Sequence, residues 1–145
     1  MINIDAQNHV KGKSIYLDDI QEIQGTLYAL PFDATVAHAK ITSIHLEEAL
    51  KRKGIVTILT AKDIPGENQI GGIIPDEPLF ADGEVHFRGQ VIALIVGTSE
   101  HHCRQAAKLI QVVYEELPII TDPRVAQAQN KLIMPPRQFT LGNVA

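Results

Sequence analysis

The chain has 145 residues, 45% apolar and 21% charged, which is the make-up of one globular domain and excludes a disordered or fibrous polymer. Its formal net charge is −4, and its one basic cluster, Lys51-Arg52-Lys53, adjoins Glu47-Glu48, so the broad basic face of a nucleic-acid binder is excluded. A single cysteine excludes an internal disulfide, and the longest clear apolar run, Val91 to Val96, is far too short to span a bilayer.

A domain of this length buries roughly two-thirds of the surface its unfolded chain exposes. With 5% aromatic residues and no Trp, that core must be built from Ile, Val, Leu and Ala. The first residues, Met1 to Asp5, lack the basic start and apolar stretch of a signal peptide, and a cytoplasmic location is expected.

In chain order, Gly25 to Phe32 reads as a strand whose end is disturbed by Pro31. Val36 to Leu46 alternates, with Val36, His38, Lys40 and Thr42 on one face and Ala37, Ala39 and Ile41 on the other. Leu46 to Lys53 reads as a short helix, acidic first and basic last, with Gly54 as its C′ glycine. Ile55 to Thr60 is continuously β-branched or apolar, which predicts a strand covered on both faces. Gln90 to Val96 is a second such strand. Ser99 caps a helix from Glu100 to about Ile110, and Gln111 to Glu115 is a further strand. Asp122 caps a last helix that begins with Pro123. The β-β-α-β-β-α-β order predicts an α+β domain with a mixed sheet and two main helices.

Candidate chemistry is sparse. Cys103 shares a helical face with Ala106, Ala107 and Ile110, which makes it a packed core residue rather than a nucleophile. His101 and His102 are adjacent on that helix and point about 100° apart, a poor arrangement for one metal ion. His38 and His45 lie seven apart on an alternating strand and so are expected on opposite faces. Asp18-Asp19 and Glu115-Glu116 project to opposite sides if extended, and read as caps or solvated edges rather than proton-sharing dyads. Pro65-Gly66 and Gly71-Gly72 are turn residues outside any phosphate-binding pattern, and Gly89 marks a bulge or a close backbone approach. The connection from Pro65 to Gly83 has four glycines and three prolines, yet holds Ile70, Ile73, Ile74, Leu79 and Phe80. Leu79-Phe80 is expected to pack locally, and the Gln69 to Pro75 portion to contact other parts of a larger assembly.

Several segments together resemble one family. They are Gly12-Lys13-Ser14-Ile15-Tyr16-Leu17-Asp18-Asp19, Thr35-Val36-Ala37-His38-Ala39-Lys40-Ile41, Gly54-Ile55-Val56, Thr60 to Asn68, Gly89-Gln90, Ala106-Ala107 and Val113 to Pro118. In this order, over about residues 12 to 126, they resemble the N-terminal α/β hammerhead domain of the molybdenum-binding large subunit of xanthine dehydrogenases and aldehyde oxidases. The loop with Pro65-Gly66-Glu67-Asn68 looks more like the xanthine dehydrogenases.

The resemblance implies an α/β hammerhead fold, with an N-terminal extension over 1–11, the domain over 12–130, and a linker over 131–145. Leu141-Gly142-Asn143-Val144 is similar to the start of a molybdopterin-binding domain, so the chain is expected to be a piece of a longer protein. It further implies an oxidoreductase that hydroxylates a purine or aldehyde carbon. That enzyme would use molybdenum–molybdopterin, 2Fe-2S clusters and FAD carried by other domains or subunits. The family's catalytic Glu and Arg lie in those later domains, so no catalytic, cofactor-binding or metal residue is assigned here. The expected role is structural, as an interaction domain within that enzyme. A free-standing, non-catalytic binding module with the same fold is the alternative.

Overall fold

Two sets of apolar segments build two small antiparallel sheets. The computed structural model describes residues 6–137 and 139–142. The first five residues of the expected N-terminal extension, and Asn143-Val144 of the expected domain start, lie outside the described residues.

The first sheet has the order β1-β5-β3, from β1 (Tyr28–Asp33), β5 (Val91–Gly97) and β3 (Ile55–Thr60). The second has the order β4-β2-β6, from β4 (Glu84–Val85), β2 (Ala39–His45) and β6 (Gln111–Glu116). Every pairing is antiparallel. The α+β class is therefore as expected, but the mixed sheet resolves into two antiparallel ones. Element order alone could not distinguish these, because strand direction depends on how each connection crosses.

The helices are α1 (Ala6–Val10), α2 (Glu47–Leu50), α3 (Glu100–Ala107) and α4 (Pro123–Ala128). Ser99 caps α3 by accepting from the His102 N–H, and Asp122 caps α4 by accepting from the Arg124 N–H, both as the sequence predicts. α2 is shorter than expected, because the chain leaves the helix in turns over 51–54. Gly54 is not its C′ residue. Its φ of +87° places it in the left-handed region, and a Cβ there would stand 2.2 Å from His102 Nδ1.

β5 is the central strand, and Ile92, Ala93 and Ile95 on it are fully buried. The composition of β3 predicts cover on both faces, but a register shift between Ile55 and Thr57 leaves Val56 outside the pairing with β5, and Val56 is exposed. Ile58 is its buried residue, joined in one core cluster by Ala49, Ala93, Ile95, Cys103, Ala106 and Ile110. A second cluster, Ala34, Ala81, Val85 and Ile92, lies against Ile41, Ile44, Val112 and Tyr114 of the β4-β2-β6 sheet, to which Val85 also belongs. Hydrophobic burial at these two clusters is what holds the sheets together.

A register shift between Ile41 and Ser43 interrupts β2. Ile41 and Ile44 both pack inward as a result, while Lys40 and His45 are exposed. The expected opposition of His38 and His45 fails for this reason: the bulge adds one residue and reverses the alternation beyond it.

Candidate functional site

The densest group of titratable side chains sits where β2 meets β4. Ala39 pairs with Val85 and Lys40 with Glu84. Continued by one residue, this register sets His38 opposite His86, and places Glu84 diagonally across from His38 on the same face. His38 Nε2 lies 2.9 Å from Glu84 Oε1, and His86 Nδ1 lies 3.7 Å from the same oxygen. The two imidazole rings are stacked at 6.2 Å. All three ligand-capable atoms fall within 4.8 Å of one another.

His38 is fixed from its other side as well. Its Nδ1 is 2.9 Å from the carbonyl oxygen of Pro118, an acceptor, so Nδ1 carries the proton of this bond. The Pro118 carbonyl, then the Glu84 carboxylate, hold the imidazole above its ordinary pKa, against desolvation and the charge of Lys131. In the sequence His38 reads as an isolated structural histidine, and neither Glu84 nor His86 stands out. Glu84-Val85-His86 does carry a signal, since residues i and i+2 of a strand share a face. Two residues of strand between a glycine and a loop offer no alternation long enough to reveal it.

A second feature is a cleft of about 310 Å³ lined by Arg52, Lys53, His101, His102 and Gln105. It brings the basic cluster of the sequence against the histidine pair of α3. The His101 and His102 rings meet edge-on, and His102 Nδ1 is already engaged with Thr98 Oγ1 at 3.1 Å. A third, of about 380 Å³, runs beside the β2 bulge and the end of β3, and includes Thr42, Lys62 and Asp82.

The remaining candidates take structural positions. Cys103 is fully buried, and burial pushes its thiol pKa up. Asp19 accepts from the Tyr16 N–H at 2.9 Å and is a cap, whereas Glu115 and Glu116 are exposed on β6. Gly89 takes φ +91°, and a Cβ added to it would meet no atom within 4 Å, so backbone conformation rather than close approach requires glycine there. The neighbouring Gln90 is buried and accepts the His86 N–H through Oε1 at 2.8 Å, which steadies the strand that carries His86.

In the 65–83 connection, Phe80 is buried and Leu79 is partly exposed, so only Phe80 of that pair packs fully. Ile70 and Ile73 are exposed, Ile73 almost completely at 97%.

Residues 11–118 match the sequence family described as "Aldehyde oxidase and xanthine dehydrogenase, a/b hammerhead domain". The chain is 36% identical to xanthine dehydrogenase/oxidase of Gallus gallus over 99% of its own length and 10% of that protein. It is also 36% identical to aldehyde oxidase 4 of Mus musculus, over 94% of its own length and 10% of that protein. Among solved structures, the aldehyde oxidoreductase from Desulfovibrio gigas superposes with a TM-score of 0.76 at 34% identity, covering 85% of this chain and 15% of that one. The chain thus spans about a tenth of the length of the curated relatives it matches.

Proposed function

The chain belongs to the aldehyde oxidase and xanthine dehydrogenase family as its a/b hammerhead domain, and on that premise we propose that it is a scaffold and interaction domain of a cytoplasmic molybdenum hydroxylase. The parent reaction is oxidative hydroxylation of a purine or aldehyde, with xanthine dehydrogenase as the enzyme type. The 12–130 segment is the domain and 131–145 the linker onward. The observation that carries this reading is the lopsided coverage: nearly all of this chain aligns with about a tenth of each oxidoreductase.

The cofactors of such an enzyme are molybdenum–molybdopterin, 2Fe-2S clusters and FAD, and the residues present do not fit them. An iron–sulfur cluster of this kind takes four thiolates, and this chain has one cysteine, buried beneath Gly97. Phosphate-bearing groups favour a helix N-terminus with free N–H donors. The longest helix among the described residues, α3, starts with a capped turn and an acid, Glu100. These groups are therefore assigned to other domains or subunits, which are the partners of this one. Exposed apolar side chains such as Ile73, Phe87 and Ile119 offer surface for such contacts.

The test is metal analysis and a xanthine turnover assay on the purified 145-residue chain, beside the reading frame that follows it. The expected result is a folded chain without molybdenum or turnover, and a coding sequence continuing into molybdopterin-binding segments. Stoichiometric molybdenum, turnover, or a stop after Ala145 would overturn it, the last in favour of a free-standing binding module.

A further inference from the structure

We propose that His38, Glu84 and His86 form a surface site for a divalent transition-metal ion of the zinc type. The site is independent of the parent reaction and rests on the β2–β4 geometry alone.

Two imidazoles and one carboxylate are the donor set of three-ligand zinc sites, which leave further positions to water. Donors bound at zinc distances sit about 3.3 Å apart in a tetrahedral arrangement. Two of the three donor pairs stand at 2.9 Å and 3.7 Å, and all three donors lie within 4.8 Å of one another, so side-chain adjustments without backbone movement would seat an ion. The side chains of His38 and Glu84 are 31% and 38% exposed, which leaves the cluster reachable from solvent while its backbone is fixed.

Three features prearrange the donors. The antiparallel register fixes which side chains share the face. The Pro118 carbonyl accepts a hydrogen bond from the Nδ1–H of His38, which leaves Nε2 as the metal-facing nitrogen. Metal-bound histidines are oriented in this way by a carbonyl or carboxylate behind them. The Gln90 amide oxygen holds the His86 backbone, so the third donor is carried on a tethered segment. Where His38 is an imidazolium its Nε2–H points at Glu84, and binding an ion there releases that proton.

Isothermal titration of the 145-residue chain with Zn²⁺ is the test, with Co²⁺ absorption as a second probe of the nitrogen donors. One Zn²⁺ per chain is expected, bound with a rise in Tm. His86→Ala removes an exposed side chain and should leave the circular dichroism unchanged. It should weaken binding at least about tenfold, as even outer-shell changes do, and so should Glu84→Gln. The double variant His101→Ala/His102→Ala should bind as the parent does. Absence of stoichiometric binding, or parent-like affinity in His86→Ala, would overturn the site. So would loss of binding in the His101/His102 variant, which would move it to the α3 cleft.

Discussion

Asn68 holds Phe80 by both sides of its backbone: Nδ2 donates to the Phe80 carbonyl at 2.8 Å, and the Phe80 N–H donates to Oδ1 at 2.9 Å. One side chain thus closes a twelve-residue stretch of glycine- and proline-rich chain. The closure delivers the Phe80 ring to a buried position, and Ala81 beside it to the second core cluster.

Asn68→Ala should therefore destabilise the domain by about 1–3 kcal/mol, the net worth of two hydrogen bonds with a half-buried partner left unpaired. Asn68→Asp should also lose stability, because it places an oxygen against the Phe80 carbonyl. Denaturant unfolding of both variants checks this. Parent-like midpoints would mean that the Phe80 ring alone holds the loop.

Cys103 should resist thiol reagents under native conditions. Its side chain is fully buried, its Sγ donates weakly to the Tyr28 carbonyl at 3.6 Å, and burial raises its pKa above the ordinary thiol value. The site is also tight, since a Cβ on Gly97 would lie 2.9 Å from Sγ and 2.8 Å from the Gly54 carbonyl oxygen. Cys103→Phe should cost on the order of 1–3 kcal/mol by overpacking, and Gly97→Ala should lose stability for the same reason. Rapid labelling, or an unchanged melting temperature in both variants, would contradict this packing.

Gly54→Ala should be destabilising for two independent reasons. A left-handed φ at a residue with a Cβ costs about 1–2 kcal/mol, and the new methyl would strike the His102 ring. The double variant Gly54→Ala/His102→Ala separates them. It should recover the steric part of the loss and keep the backbone part, as read by denaturant midpoints.

The Thr60–Asp63 cap should make the β3 exit sensitive to acid. Asp63 Oδ2 accepts from the Thr60 N–H at 2.7 Å and from its hydroxyl at 2.9 Å, and these bonds lower its pKa below the ordinary carboxylate value. A folded-state pKa below the unfolded one adds stability above the unfolded value, and that stability is lost as pH falls through the folded one. Unfolding measured across the acid range should show this loss in the parent. It should be smaller in Asp63→Asn, which cannot titrate.

Local signals were legible in the sequence where one residue type decides the outcome. Ser99 and Asp122 announce their helices because a side-chain oxygen must satisfy a free N–H. Val91 to Val96 reads as a buried central strand because its apolar run has no polar face. What escaped depends on contacts between distant segments. The bulge at Ile41–Ser43 reverses the face of His45, and residues 36–46 mark it only by an alternation that turns ambiguous near Ser43-Ile44. β4 is two residues long, too short to alternate, and exists because β2 lies beside it. The His38, Glu84 and His86 group needs that pairing to exist at all. The exposure of Val56 likewise follows from the register shift between Ile55 and Thr57, not from the composition of β3.

The Gln69 to Pro75 segment should behave differently in the isolated chain and in the complete protein. It is tethered at its flanks: Ile70 N–H donates to the Glu77 carbonyl at 2.8 Å, and Asn68 clasps Phe80. Between these ties it carries Ile70 and Ile73 on the surface, with Gly71 and Gly72 separating them. Two exposed isoleucines on a glycine-jointed loop add little stability to this domain, since burying a large apolar side chain contributes roughly 1.5–3 kcal/mol only where a partner covers it. Covered by another domain, they would gain that much each. Hydrogen exchange on the 145-residue chain and on the complete enzyme compares the two. Amides of 71–74 should exchange fast in the chain and slowly in the enzyme, while Phe80 is protected in both. Ile73→Asp should leave the unfolding midpoint of the isolated chain unchanged and weaken assembly of the enzyme. Strong protection of 71–74 in the isolated chain would mean that the loop closes on its own domain instead.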